Sequence, residues 1–539
     1  MKKTLMLFIT VSILLIFFYL TPAFASVSTV QLGDEALSVY EGRPLNVINI
    51  SNKTVYLPSF ADESKVEAFL AENKTKATLY HSAGLPTLFL QTKSKRDTYI
   101  HKSKENRETG AFLLVDEDGK TLCMGELDQI RIRGNSTRLY KKKAYQIKLK
   151  EKSDLLGMGK ARTWVLLANV IDGSMLRNDL ALRLAAAAGL PFTPSCAFLD
   201  LYLNGNYKGT YLLCEKVQIQ KNRIDIADLE KENETVNTAA TDTYGYAYGT
   251  LKNAGTPHEK LTVNGRAKLM KNIPGWKDLK PGGWTARDLE STPEDYTGGY
   301  LIESGLKDNF KTSSRFLCDS GWKLIVKEPE EASVSEVTYI FRIFQQIDRA
   351  MTEGDWNSLE KLIDVDSWVK RYVFEEVLGN FDAGARSAYF YKDRDSIDKK
   401  VYFAPVWDYD NCLGISIKMK DPEVFYLQDT ETAHINFPYD VFLRLTKIPE
   451  FMELAKTYYR EVFRPLLADL LEERPSQVLD SIQTRAKLIS ASRSMNFKVW
   501  KHYHESRLTE IGDSEDEGLD YLLNFLKRRV AFLDKAWAK

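Results

Sequence analysis

Apolar positions along this chain change period several times, and the changes mark out its regions. Between Leu85 and Leu149 they recur in short runs or on alternate residues. Thr87 to Gln91, Ala111 to Val115 and Gln129 to Arg133 each read as a strand, with Asp116-Glu117-Asp118-Gly119 as a turn. From Ala144 to Lys150 the alternation is strict: Tyr145, Ile147 and Leu149 share one face, Lys148 and Lys150 the other. Trp164 to Ala168 is a further apolar run. The spacing of Leu176, Leu180, Leu184 and Ala188 then predicts a helix, capped within Asp172 to Ser174 and stopped at Gly189-Leu190-Pro191. Ala197 to Leu203, the turn Asn204-Gly205, and Gly209 to Val217 predict a β-hairpin.

Periodicity fades between residues 228 and 298, where Thr, Asn, Gly, Lys and Glu crowd together. The composition predicts a surface insertion that folding can do without. Strand patterns return at Gly299 to Glu303 and Trp322 to Val326, which should pair. From Val334 the helical period dominates, over Val337 to Met351, Val365 to Leu378 and the stripe Leu519, Leu522, Leu523, Leu526, Val530, Leu533. One strand pair, Ala388 to Tyr391 with Val401 to Ala404, interrupts it. Before Leu85 the pattern is weak, with short strands at Val47 to Ile50 and Val55 to Leu57 and a helix at Glu63 to Glu72. The expected fold class is therefore α+β and bilobal. A lead-in (26–84) precedes a strand-rich lobe (85–217), a connection with the insertion (218–330) and a helical lobe (331–539).

Charge and composition narrow the function classes. Lys+Arg and Asp+Glu are both 74, so there is no global case for nucleic acid or an anionic membrane as partner. Lys2 and Lys3, the apolar run Leu5 to Leu20 and Ala23-Phe24-Ala25 form the pattern of a secretory signal, with cleavage expected after Ala25. The mature chain then starts at Ser26, works outside the cytoplasm as a secreted or cell-surface protein, and keeps no membrane span. Five scattered cysteines, Cys123, Cys196, Cys214, Cys318 and Cys412, and six histidines offer no zinc spacing and no disulfide framework.

Three constellations carry candidate chemistry. Asn380-Phe381-Asp382 follows a helix, and Trp407-Asp408-Tyr409-Asp410 follows a strand. The hairpin between them would bring the two acidic sites together. An extended backbone would aim Asp408 and Asp410 the same way. Phosphoryl transfer from ATP needs such a layout, one carboxylate to orient the attacking hydroxyl and another to hold the Mg²⁺ on the phosphates. The plainer reading is turn aspartates and a surface pair, but the flanks Phe403, Pro405 and Trp407 argue for burial, which unpaired carboxylates tolerate badly. Second, the turn Arg133-Gly134-Asn135-Ser136-Thr137-Arg138, followed by Lys143 and Lys148, offers N–H groups, hydroxyls and cations for phosphates; basic strands are also common as solvated edges. Third, the apolar strand Tyr211 to Val217 carries Glu215 and Lys216 at its end, as a backbone edge for an adenine ring or simply as a core strand reaching the surface.

In order and spacing, the runs RGNSTRLYKKKAYQIKL, WVLLAN, D-x-S-x-L-R-N, LYLNGNYKGTYLLCEKV, GGYLIE, VKEP and PVWDYDNCLG resemble the CotH (spore coat protein H) family over roughly residues 85 to 539. The resemblance implies an atypical protein-kinase-like fold that binds ATP with Mg²⁺ or Mn²⁺. It also implies transfer of the γ-phosphate to serine on a surface or coat protein. It assigns Asp382 as the catalytic-loop aspartate and Asp408 or Asp410 as the metal-binding aspartate. Lys143 or Lys148 becomes the phosphate-contacting lysine, and Glu215 the residue at the nucleotide's hinge side. Two positions depart from the kinase pattern. Ser387 stands where a metal-binding asparagine is expected, and the first helix offers Arg177, Asn178 and Asp179 but no glutamate to pair with the strand lysine. Both departures keep a second reading open, a non-catalytic scaffold or wall-associated module of the same fold; a metal-dependent hydrolase using the same carboxylates is a third.

Overall fold

The computed structural model describes residues 54–72, 76–135, 137–237, 246–251, 259–261, 276–305, 314–380, 382–428, 441–473, 476, 478–501, 508–509 and 515–537, with short strands at 30–32 and 35–37. Within them the chain is α+β. The predicted signal segment and the strand expected at Val47 to Ile50 lie outside the described residues. Among the described residues no helix is long and apolar enough to cross a membrane.

The alternating region closes into a barrel. Its strands are β1 (Thr87–Thr92), β2 (Glu108–Val115), β3 (Thr121–Ile132), β4 (Tyr145–Asp154), β5 (Lys160–Leu167), β6 (Cys196–Leu203) and β7 (Asn206–Glu215). The order is β6-β7-β5-β4-β3-β2-β1, and β1 returns to pair in parallel with β6. Alternation explains the closure, because one face of every strand is apolar. Leu88, Leu90, Phe112, Leu114, Ile130, Ile132, Tyr145, Ile147, Trp164, Leu166, Leu199, Leu201 and Leu213 fill the interior. The outer face carries the polar alternates on one side. On the other it packs against helix α1 (Arg177–Ala187), where Val165, Phe198, Leu212 and Cys214 join the larger core.

The lead-in is more ordered than its pattern suggests. Strands Thr54–Leu57 and Thr78–His81 pair in parallel around the predicted helix Glu63–Glu72. Val55, Leu57, Phe60 and Val66 pack on Phe89, Val115, Tyr202 and Met495. Ser82 then donates to the buried Asp200, which also accepts from Tyr207, Thr210 and Ser492.

The expected surface insertion is corrected in part. Helix α2 (Leu229–Val236) and strands β8 (Tyr246–Thr250), β9 (Glu259–Leu261) and β10 (Gly283–Arg287) lie inside residues 228–298. They join β11 (Tyr300–Ser304), β12 (Arg315–Leu317), β13 (Lys323–Glu328) and β14 (Ala388–Lys392) in a seven-stranded sheet of order β9-β8-β10-β12-β13-β11-β14. Leu229, Ala247, Trp284 and Ala286 are fully buried in the main core. Their apolar residues are too few to set up a period, but they are the ones that pack.

Helices cover that sheet. α3 (Val334–Glu353) starts on a capping box between Ser333 and Glu336 and ends at Gly354 in a left-handed conformation (φ 71°). It lays Phe341 and Phe344 on Phe316, Trp322 and Phe390. α4 (Val365–Leu378) is buried through most of its length, and α5 (Ile482–Val499) and α6 (Glu515–Ala536) close the far side. The strand pair predicted around residues 388 and 401 is present as β14 and a bridge from Tyr391 to Tyr402.

Candidate active site

The site is assembled at the end of α4. That helix stops at Gly379, whose φ of 55° suits glycine and whose Cβ, if added, would stand 2.9 Å from the Tyr426 ring. Just before the stop, the fully buried Glu375 acts as a junction. One oxygen accepts from the Arg371 guanidinium and the Tyr409 hydroxyl, each at 2.6 Å; the other accepts from the Asn380 side-chain amide at 2.8 Å. Asn380 begins the first acidic loop, and Tyr409 lies between Asp408 and Asp410. A single carboxylate thus ties both loops to one point. Asn380 Oδ1 in turn accepts the Asp382 N–H at 3.2 Å, and Asp382 Oδ1 accepts from Arg386 at 2.9 Å.

The second loop is held from the barrel side by the D-x-S-x-L-R-N run. Asp172 and Arg177 form a fully buried ion pair. The Arg177 guanidinium donates to the carbonyls of Cys412 and Leu413 at 3.0 and 3.1 Å, while Asn178 Oδ1 accepts the Tyr409 N–H at 2.9 Å. The backbone here departs from the extended form expected. Asp408 adopts a φ of 74° and Ser387 a φ of 49°, the left-handed region that few non-glycine residues occupy. Tyr409 turns inward to Glu375, while Asp408 is exposed and Asp410 half-buried. Ser387 Oγ donates to Asp408 Oδ2 at 3.1 Å, so the structure brings these two predicted site residues together.

Electrostatics distinguishes these carboxylates. Asp408 is open to solvent but sits in a dense recess, and desolvation, then the charge of Asp382, raises its pKa. Asp410 is pushed well above the ordinary range by desolvation and by Asp408, Asp382 and Asp172. Arg133 lowers both. Its guanidinium stacks on the Trp407 ring, 5.2 Å from the centroid. Behind Asp408, Glu303 is hydrogen-bonded to the Tyr389 hydroxyl and paired with Lys327 at 2.9 Å.

Of the remaining predicted residues, the structure brings some near and sets others apart. Lys148 lies on the outer face of β4 opposite Gln129 and Thr163 and forms no hydrogen bond or ion pair among the described residues. Lys143 donates to the Arg138 carbonyl at 2.8 Å. Asn135 and Arg138 are exposed at the turn, and Ser136 lies outside the described residues. Glu215 is spoken for. It is buried in an ion pair with Arg223 and accepts the Ser195 N–H at 2.8 Å, and Arg223 covers Trp164. Asp179 makes a two-pronged pair with Arg485 of α5. In the KKK run, Lys142 is the buried one. It donates to the carbonyls of Ala168 and Thr210 at 2.8 and 2.6 Å.

Sequence reasoning gave no role in the site to Asp172, Arg177, Asn178, Glu303, Lys327, Glu375 or Tyr409. Six of the seven lie in runs that carried the resemblance, which was the available signal. Glu375 sits in a helix whose pattern reads as core, and nothing marked it.

The donor set suits a hard cation. Asp408, Asp410 and Ser387 supply only oxygen, and the raised carboxyls show negative charge with too little compensation. Among the described residues no three His, Cys, Asp or Glu side chains converge closely enough to hold an ion alone. A Mg²⁺-like ion held by one or two carboxylates, with phosphate oxygens and water completing its shell, matches that arrangement. A family model described as CotH kinase protein matches residues 130–533. No curated protein matches the chain.

Proposed function

The chain belongs to the CotH kinase family, and on that premise we propose that it is an exported protein kinase that transfers the γ-phosphate of ATP to a serine hydroxyl of a surface or coat protein. The observation that carries the reading is the junction at Glu375, which ties two acidic loops whose carboxylates repel one another beside the stacked guanidinium of Arg133. In this reading the barrel is the nucleotide side of a bilobal kinase-like layout and the helical part carries the catalytic loop.

The family resemblance and the joining of the two acidic loops support these roles. Asp382 orients the acceptor hydroxyl and takes its proton as the γ-phosphoryl group leaves the ADP oxygen for the serine oxygen. Arg386, bonded to its Oδ1, holds that carboxylate in place. Asp408, Asp410 and Ser387 would hold Mg²⁺ or Mn²⁺. When bound, such an ion neutralises phosphate charge as a Lewis acid. Arg133 supplies fixed positive charge for the phosphates, and the family resemblance adds Lys143 or Lys148 as a lysine that contacts them. Export is supported by Lys2, Lys3, the apolar run and the Ala23-Phe24-Ala25 site.

Incubating the purified protein with γ-labelled ATP and Mg²⁺ or Mn²⁺ tests the reading. Label on protein is expected. Free phosphate alone would make it a hydrolase, and no turnover would make it a non-catalytic scaffold. N-terminal sequencing of exported protein should begin at Ser26; a start at Met1 would mean an uncleaved anchor.

A further inference from the structure

We propose that Cys196 and Cys214 form a disulfide-forming dithiol, a site for two-electron oxidation by a small-molecule or protein disulfide that would fasten β6 to β7 beneath α1. The proposal concerns the barrel wall and stands apart from the phosphoryl-transfer reading; neither thiol takes part in that chemistry.

Register places the two side by side. Cys196 and Cys214 are direct partners in the antiparallel ladder of β6 and β7. The Glu215 N–H donates to the Ser195 carbonyl at 3.1 Å, which makes Ser195 and Glu215 a hydrogen-bonded position. The next pair inward, Cys196 and Cys214, therefore occupies a non-hydrogen-bonded position, where Cα atoms approach to about 4.5 Å and side chains are closest. A disulfide accepts Cα separations of about 4.4–6.8 Å. Both side chains also leave the same face. Leu199, Leu201, Tyr211 and Leu213 point into the barrel, so alternation sends Cys196 and Cys214 outward as neighbours, where Cys196 Sγ donates to Asp179 Oδ1 at 3.9 Å and Cys214 Sγ to the Leu212 carbonyl at 3.7 Å.

The surroundings set the kinetics. Both thiols are free in the structure. Their mutual contact, burial and the neighbouring Asp179 hold the Cys196 thiol well above its ordinary range. The attacking thiolate is therefore scarce once the chain is folded, and exchange belongs to the stage at which the two strands pair. The step balances as ordinary exchange. The Cys196 thiolate attacks one sulfur of the donor disulfide and releases the first donor thiol. The Cys214 thiolate then attacks Cys196 sulfur and releases the second. The protein loses two hydrogens, and the donor is reduced to two thiols. The other cysteines have other neighbours. Cys123 faces the Asp154 carbonyl, Cys412 donates to the Tyr409 carbonyl at 3.0 Å, and Cys318 is buried in the helical core.

The test refolds the full chain in buffers of reduced and oxidised glutathione and counts thiols after an acid quench in denaturant. Oxidising buffer should lower the count from five to three, with Cys196 and Cys214 in one linked peptide. The oxidised protein should melt about 3 °C or more above the reduced one. Under the same conditions Cys214→Ala should retain all its thiols as a folded chain or, if it fails to fold, the parent's peptide map decides alone. Five thiols surviving in the parent, a linked peptide containing Cys123, Cys318 or Cys412, or a glutathione adduct that stays on Cys196 without closing would each overturn the proposal.

Discussion

Two sets of buried or recessed carboxylates lie close together in this molecule, and they are treated in opposite ways. Glu375, Glu376 and Asp172 are saturated. Glu376 accepts from the N–H groups of Tyr426 and Leu427 and pairs with Arg529; Asp172 accepts from the N–H groups of Ser174 and Arg177 and pairs with the Arg177 guanidinium. Each desolvated oxygen has a donor, which is the condition for a buried charge to persist. Asp382, Asp408 and Asp410 are a short distance away, and desolvation first, then the charge of the neighbouring aspartates, raises the pKa of Asp408 and Asp410. A fold that can saturate the Glu376 carboxylate with three donors could have done the same for Asp410. The contrast separates the two sets: the first holds the loops, and in the proposed reading the charge of Asp408 and Asp410 would be balanced by a cation and phosphates.

The sharpest way to break that division is to neutralise one member of each set. Asp382→Asn keeps shape and removes the orienting charge. Phosphate transfer should fall by roughly 10²–10⁴, while the melting temperature stays near that of the parent. Calorimetric titration should still show ATP binding with Mn²⁺, whereas Asp408→Asn should weaken that binding itself. Glu376→Ala should do the reverse. It removes the counter-charge of the fully buried Arg529 and strands two N–H groups, at a cost of about 3–5 kcal/mol in urea unfolding. Should Asp382→Asn unfold the protein and Glu376→Ala leave it stable, the two sets have been assigned the wrong way round.

A second division separates what the sequence made legible from what it hid. The barrel strands were readable because alternation is strict where one face is a barrel interior; Tyr145, Ile147 and Leu149 lie there as expected. The two acidic loops were readable from residue type and position. The insertion was misread because period detection needs several apolar residues in phase, and β10 packs with Trp284 and Ala286 alone. Trp284→Ala should therefore cost about 3–5 kcal/mol in the same unfolding measurement, and an unchanged midpoint would restore the surface reading. Glu215 was misplaced for a related reason. A Glu-Lys pair at a strand end looks the same in sequence whether it meets a ligand or an internal arginine, and Arg223 lies just eight residues on. The role of Glu375 was out of reach, because it depends on contacts made across 34 residues to Tyr409.

The smallest effect discriminates most finely between a site awaiting a cation and a cluster merely tolerated by the fold. Asp410 has a folded-state pKa well above its ordinary 3.8. A carboxyl of that kind binds its proton more tightly when folded. Its stabilising contribution is complete below about pH 3.8 and is lost as pH rises through the folded value. Asparagine has no proton to lose, so at pH 7 Asp410→Asn should melt about 1–2 °C above the parent, and the gap should close as the pH is lowered towards 4. Mg²⁺ or Mn²⁺ supplies the missing positive charge to the parent and has less to offer the variant. Adding the ion should therefore raise the parent's melting temperature more than the variant's and narrow the gap from the other side. A variant less stable than the parent at pH 7 would mean that Asp410 makes favourable contacts of its own. It would then belong with Glu375 and Glu376, and the metal role would fall to Asp408.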